Sequence, residues 1–290
     1  MYAPSFDYYR ARSVAEAHQL LAANPGAKIL AGGHSLLPLL KLRLAAPPAL
    51  VDIGRIPELK GISRQGDSIR IGALTTHAEL AASDDLRASA AALAEAAAWI
   101  GDPTVRNRGT IGGNIAHADP ASDLPTVLVA LDARVVAAGP GGERTIPASQ
   151  FFTGIMTTAL GDDEILVAID VPPSGRGQGS AYEKFSHPAS RYAVVGVAAW
   201  LAVSSGTCRS ARVAMGGLLP HARRAASVER ALIGKAMTGD VIGGVAAQVA
   251  ADLGNDVTGD IYASAEYRSA MMPEFTKRAI ATAAARASQT

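Results

Sequence analysis

The chain has very little with which to do metal or thiol chemistry. Among its 290 residues Cys208 is the one cysteine. No internal disulfide can form, and an iron–sulfur cluster, which takes four thiolates, cannot be ligated here. The six histidines are scattered without metal-ligand spacing. No metal site is expected, and any metal or cluster chemistry has to reside on another chain. Lys and Arg total 27 against 26 Asp and Glu. With no concentrated basic face, nucleic-acid binding is not expected. The alanine-rich stretch at 86–100 is too short, and too charged at its edges, to span a bilayer. The opening MYAPSFDYYRARS lacks a basic start followed by an apolar run, so no secretory signal is expected and the default compartment is the cytoplasm. No Ser/His/Asp or Cys/His arrangement suggests covalent catalysis, and neither G-x-G-x-x-G nor a P-loop occurs.

What is present is apolar content of 49%, length enough for two or three modest domains, and two short glycine-paired runs. These are AGGHS at 31–35 and TIGGNIAHADPASD at 110–123, each between regular elements rather than within one. Glycine admits φ > 0 and lets backbone N–H groups approach a ligand with no Cβ in the way. Successive N–H groups in such turns make concave anion sites, so the pair suits the two phosphates of a dinucleotide. For a single loop, an ordinary strand-to-helix turn is an equally good account.

Hydrophobic periodicity places a strand at 6–9, a helix from Ser13 (a capping box with Glu16) to about Ala23, and a strand at 28–30 running into the first loop. A strand follows at 50–53, and the pattern restarts near Ile56. Gly66-Asp67 reads as a hairpin turn, Thr75 or Thr76 as a helix cap, 86–100 as one long helix, and about 123–131 as another. Strands are expected at 133–138 and 165–171. The run at 172–179 is the clearest linker. Beyond it come strands at 180–185, 194–203 and 210–218, then helices starting near Ala222, Thr238 and Ala263, the last kinked at Pro273. Cys208 is expected in a turn between strands.

The ordered set PSFDYYRARSVAEA (4–17), AGGHSLLPLLKLRL (31–44), VDIGRI (51–56), IGALTTHAEL (71–80), TIGGNIAHADPASDLP (110–125), YEKFSHPASRYAVVGVAA (182–199) and AEYRSAMM (265–272) resembles the FAD-binding medium subunit of molybdenum hydroxylases. That family includes the carbon monoxide dehydrogenase medium subunit and the xanthine dehydrogenase flavin domain, and the resemblance covers essentially the whole chain. It implies an α+β fold. Two subdomains of the vanillyl-alcohol oxidase (PCMH) type, 1–55 and 56–175, would sandwich FAD. A C-terminal flavoprotein domain, 180–290, would hold a three-stranded antiparallel sheet and a helical bundle. It also implies partners in a heterotrimer: a small subunit with [2Fe-2S] clusters and a large subunit with the molybdenum cofactor. Electrons would pass through this chain to an external acceptor, with peripheral attachment to the inner membrane through that acceptor as a further expectation.

The resemblance also assigns residues. Ala31, Gly32, Gly33, His34, Ser35 and Leu36 form one arm around the FAD diphosphate, with the Ser35 hydroxyl as an extra donor. Thr110, Ile111, Gly112, Gly113 and Asn114 form the other. His34 either touches the cofactor or only shapes its loop, and His117 faces flavin or solvent. Asp123 matches a carboxylate on the ribityl or ribose side; from position alone it also reads as a helix N-cap, and with Asp119 as a weak metal pair. Ile100 and Leu166 match positions lining flavin or adenine, where plain core is the competing account. Lys184 matches a lysine beside the isoalloxazine ring, against a solvated surface lysine. Tyr192 matches an aromatic at one flavin face, and Arg191 would place charge near the acceptor's entry. No catalytic residue is expected on this chain. The alternatives are a self-sufficient flavin oxidase or dehydrogenase of the same fold, and a cofactor-free assembly module. The intact loops argue against the second. Against the first stands a short C-terminal region without a histidine or tyrosine cluster suited to deprotonating a substrate.

Overall fold

The computed structural model describes residues 2–289. Asp7–Arg10 (β1), Lys28–Leu30 (β2) and Ala49–Asp52 (β3) form a parallel sheet in the order β1-β3-β2. Val14–Ala23 (α1) crosses between β1 and β2, and Leu36–Lys41 (α2) between β2 and β3. The Ser13 hydroxyl caps α1 by accepting from Glu16 N at 3.1 Å, but the Glu16 carboxylate accepts from Arg12 N at 2.7 Å rather than from the cap residue itself. Of the first-turn backbone donors, Glu16 N is satisfied by the cap and Val14 N by the Glu58 carboxylate at 3.3 Å.

A second, antiparallel sheet runs β4-β5-β10-β6-β7. Its members are Ile62–Gln65 (β4), Ser68–Gly72 (β5), Arg134–Gly139 (β6), Gly142–Pro147 (β7) and, after a small hairpin of Phe152–Gly154 (β8) and Thr157–Thr158 (β9), Ile165–Val171 (β10). Between β5 and β6 the chain is helical: His77–Ala82 (α3), Asp84–Ser89 (α4), Ala91–Trp99 (α5), Pro103–Arg106 (α6), Ile111–His117 (α7) and Asp123–Ala130 (α8); Ala148–Phe151 (α9) follows β7. Thr76 caps α3 with a full capping box to Glu79. The single long alanine helix expected at 86–100 is two helices, broken at Ala90 (φ −149°, ψ 51°). The break frees the Ser89 carbonyl, which accepts from Ser174 N at 2.6 Å, so a tertiary partner outweighs alanine's helix propensity.

The third sheet holds three long antiparallel strands, Gln178–Ser186 (β11), Ala193–Ser204 (β12) and Thr207–Gly216 (β13), with a two-residue fourth, Arg223–Arg224 (β14), at its edge. Ala226–Leu232 (α10), Gly239–Ala246 (α11) and Ala265–Gln289 (α12) pack against it, and α12 continues as one helix through Pro273. Cys208 lies in β13 rather than in the turn before it, and is fully buried. The run at 172–179 is anchored: Ser174 accepts from the Trp200 indole at 3.1 Å, and Gln178 already belongs to β11.

The helix that positions the site is α8. All eight of its residues are buried, as an all-round apolar helix requires. It sits in a core with β5, β6, β10 and α5 on one side and Tyr182, Ala198, Trp200 and Ala214 of the third sheet on the other. Its first residue, Asp123, therefore enters where the second and third sheets meet. No helix among the described residues is long and apolar enough to cross a membrane.

Candidate cofactor site

The first loop leaves the carboxyl end of β2, and Gly33 takes φ +80°, a conformation an L side chain rarely adopts. The carbonyl of Gly33 accepts from Leu37 N at 2.9 Å, but the N–H groups of Gly32, Gly33, His34 and Ser35 reach no acceptor among the described residues. Ser35 precedes α2 without making a side-chain cap bond, so its hydroxyl is uncommitted too. Four consecutive unpaired amides and a hydroxyl make a concave donor set suited to an anion.

The second loop is built differently. Thr110 bridges to Thr76 and caps α7, its Oγ1 accepting from Gly113 N at 3.2 Å. Ile111 N donates to Thr75 O at 3.0 Å and Gly112 N to Ala73 O at 2.8 Å. Ile111 is wholly buried, and a Cβ on Gly112 would lie 2.6 Å from Ala73 Cβ. The Ile111 and Gly112 amides are therefore spent on protein carbonyls and dock the segment onto the chain that follows β5. The segment is also helical from Ile111, not an open loop. The segment exposes Gly113 and leaves Asn114 half-buried, its Oδ1 fixed by the Ser122 hydroxyl at 2.8 Å, while Thr110 is 6% exposed.

The two runs converge. A Cβ on Gly32 would lie 2.2 Å from Arg108 O and 3.0 Å from Gly109 Cα. One on Gly113 would meet Ala31 Cβ at 3.8 Å. Ala31–Leu36 and Thr110–Asn114, 74 or more residues apart in sequence, thus share one cleft edge.

Asp123 follows the N-cap position, which Ser122 occupies, so it is not itself the cap. It is 3% exposed. Tyr182 OH donates to its Oδ1 at 2.6 Å and Lys184 Nζ to its Oδ2 at 2.8 Å. Lys184 donates twice more, to Trp99 O at 3.2 Å and to Arg191 O at 2.7 Å. All three ammonium protons are committed to protein groups and the side chain is fully enclosed. Lys184 is therefore not a surface lysine, and its ammonium protons are spent on protein groups. Burial pushes the Asp123 carboxyl up and the Lys184 ammonium down, and their contact opposes both shifts. With burial and the Asp123 charge acting together, the Tyr182 phenol stays protonated to well above its usual range.

The three acceptors of Lys184 tie the remaining candidates together, since Trp99 precedes Ile100 and Arg191 precedes Tyr192. Ile100 ends α5 half-buried, and Tyr192 is 43% exposed, next to an Arg191 at φ +61°. Leu166, on β10, is 6% exposed within the cluster around α8. His34 is exposed, and His117 ends α7 half-buried. Asp119 turns onto Ala121 N at 2.9 Å, and Asp123 is occupied by Tyr182 and Lys184, so the two do not form a cation pair. Among the described residues no cluster of three or more His, Cys, Asp or Glu could hold a metal ion. Ala193 N donates to Ala121 O and Gly217 N to Pro120 O, both at 3.0 Å, clamping the 110–123 segment to the third sheet.

Sequence reasoning missed Tyr182 and His77. Tyr182 was findable: it lies two residues before Lys184 on one strand and so shares its face. These residues fit a dinucleotide. The unpaired amides at 32–35 suit a diphosphate, and Asp123, with about four acceptor sites and two in use, retains capacity for a hydroxyl.

Comparison with known proteins agrees with that chemistry. Residues 4–174 match the family described as the FAD binding domain in molybdopterin dehydrogenase, and 180–283 the CO dehydrogenase flavoprotein C-terminal domain. The chain is 42% identical to the carbon monoxide dehydrogenase medium chain of Hydrogenophaga pseudoflava over 290 residues, 99% of each. It is 41% identical to the 6-hydroxypseudooxynicotine dehydrogenase complex subunit alpha of Paenarthrobacter nicotinovorans, covering 99% of this chain and 97% of that one. A solved structure of the Hydrogenophaga pseudoflava carbon monoxide dehydrogenase superposes with a TM-score of 0.94 at 44% identity over 99% of both chains.

Proposed function

The chain belongs to the FAD-binding medium-subunit family of molybdenum hydroxylases, and we propose that it carries the flavin of such an enzyme between its two glycine runs and Asp123. In this reading it takes electrons from the [2Fe-2S] clusters of a small subunit, reduced in turn by the molybdenum centre of a large subunit. It delivers them to an external acceptor. When bound, FAD supplies the interconversion of one- and two-electron transfer.

The observation that carries the reading is the run of unpaired amides at Gly32–Ser35 facing Gly113 across a cleft edge. Those amides and the Ser35 hydroxyl hold a diphosphate from one side, with Thr110 and Asn114 donating from the other. Asp123, fixed by Tyr182 and Lys184, offers its remaining lone pairs to a hydroxyl of the cofactor chain. Lys184 acts on the flavin through its charge and by holding the turns at Ile100 and Tyr192, not by direct donation. Tyr192 covers the cofactor on the side of the third sheet.

Substrate choice lies outside this chain. Similar medium chains serve enzymes named for carbon monoxide and for 6-hydroxypseudooxynicotine. Against a self-sufficient oxidase, the ionisable groups of the third sheet that face the site, Tyr182 and Lys184, are consumed by Asp123.

The test uses the assembled complex. Gly32→Val is uninformative because it would drive the Arg108 backbone away, whereas the methyl of Gly113→Ala meets only the Thr110 hydroxyl at 2.9 Å, which a side-chain rotation relieves, and Ala31 Cβ at 3.8 Å. Gly113→Ala should keep the circular dichroism and assembly of the wild type and lose FAD at least tenfold in affinity. Stoichiometric FAD in that variant would overturn the site.

A further inference from the structure

His77 takes no part in the site described above, yet it is buried against it. It opens α3, is 3% exposed, and its Nδ1 has no hydrogen-bond partner. Its backbone N–H donates to Gly109 O at 3.0 Å, beside the bridge between Thr76 and Thr110. The Cδ2–Nε2 edge of the ring lies along Gly109, where an added Cβ would meet Cδ2 at 2.8 Å and Nε2 at 2.9 Å. The same Gly109 is pressed by the first run, since a Cβ on Gly32 would reach its Cα at 3.0 Å. One peptide segment, Arg108-Gly109-Thr110, is thus in contact with the imidazole and with the first glycine run, with no side chain of its own at Gly109 to take up slack.

We infer that His77 is a positioning residue that sets the separation of the two glycine runs, its flat ring acting as a spacer beneath Gly109. The inference rests on reading those runs as the grip on a dinucleotide diphosphate. Close-packed interiors transmit a change of one ring's thickness rather than absorbing it. Donors that must meet both sides of a diphosphate lose affinity when their separation changes by a fraction of an ångström. An unpartnered Nδ1 fits a role in which shape, not hydrogen bonding, is what the ring contributes.

The experiment measures FAD dissociation constants in the assembled complex by flavin fluorescence, with Gly113→Ala alongside. His77→Ala should weaken FAD at least tenfold. His77→Phe, which keeps a flat ring, should stay within about threefold of wild type, and millimolar imidazole should restore His77→Ala. Wild-type affinity in His77→Ala overturns the inference, as does a His77→Phe no better than His77→Ala with no rescue by imidazole. Should His77→Ala fail to assemble, Gly109→Ala and the double variant Gly109→Ala/His77→Ala decide. In the first the added methyl collides with the ring; in the second the ring is gone and the Val105 carbonyl at 3.2 Å is the tight contact that remains. Tighter FAD binding by the double variant supports the spacer, and equal or weaker binding refutes it. FAD retained in Gly113→Ala would instead sink the assignment of the site, a separate failure.

Discussion

Lys184 Nζ on β11 and Asp123 Oδ2 at the head of α8 lie 2.8 Å apart with both side chains sealed from solvent, joining the third sheet to the helix that leads from the second glycine run. Removing two charges from water is costly, and their attraction offsets that cost only when the remaining lone pairs and protons are matched. Here the two Lys184 protons beyond Asp123 are matched by the carbonyls of Trp99 and Arg191, and the carboxylate accepts from Tyr182 as well as from Lys184.

Breaking the pair from one side should therefore be worse than removing it whole. Lys184→Met leaves a buried carboxylate with only Tyr182 and should cost about 3–5 kcal/mol in urea unfolding. Asp123→Asn/Lys184→Met should recover a substantial part of that loss. A double variant as unstable as the sum of its singles would show that the two residues are not coupled.

A second contact between α8 and the third sheet is equally tight. A Cβ on Gly216 would stand 2.1 Å from Thr126 Oγ1, itself buried with no hydrogen-bond partner. Gly216→Ala should destabilise by about 1–3 kcal/mol, the range for overpacking a close-packed core. Thr126→Ala removes the colliding hydroxyl and leaves the Thr126 Cβ position at an ordinary 3.5 Å, so it should partly rescue Gly216→Ala. Calorimetric midpoints of the two singles and the double variant measure the coupling.

Glycine pairs, helix caps and alternating strands were legible because each is a local response to backbone sterics. The first run, the α3 cap at Thr76 and the strands of the third sheet all follow from neighbours within a few residues. What was not legible depends on partners far along the chain. Gly112 looks as open as Gly33, and only the position of Ala73 shows that its amide is spent and its Cβ direction blocked. The sequence leaves a surface position open for Lys184, and only α5, α8 and the turn at Arg191, brought around it, close that account. The alanine helix breaks at Ala90 for the same reason, because Ser174 competes for the Ser89 carbonyl.

Arg268 near the start of α12 is 5% exposed and spends its guanidinium on Ala263 O at 3.1 Å, Val194 O at 3.2 Å, Gly217 O at 2.8 Å and the Asp260 carboxylate. Gly217 is one of the two residues that clamp the 110–123 segment, and Val194 adjoins the other, Ala193. Lysine keeps the charge but cannot reach four acceptors on a planar fork. Arg268→Lys should cost about 2–4 kcal/mol through unmatched buried carbonyls. Faster hydrogen exchange at Ala193 and Gly217 than in wild type is the accompanying signature, and unchanged exchange there would separate Arg268 from the clamp.

Burial lowers the His77 imidazole to about 4, with smaller contributions from the positive ends of His34 and Arg106. The ordinary value in an unfolded chain is about 6.5. The folded protein therefore binds fewer protons than the unfolded one between these values, so stability is complete above about pH 6.5 and falls as pH drops through 4. At 1.36 kcal/mol for each unit of displacement the loss is roughly 3 kcal/mol across that window. Other groups titrate there too, but a comparison isolates this one: unfolding free energies of wild type and His77→Phe, taken from pH 7.5 to 4, should differ by a term that grows as pH falls. The variant, with nothing to protonate at that position, should show the shallower slope. Parallel curves would mean that the imidazole accepts its proton in place, and that the space against Gly109 is open enough to hydrate a charge.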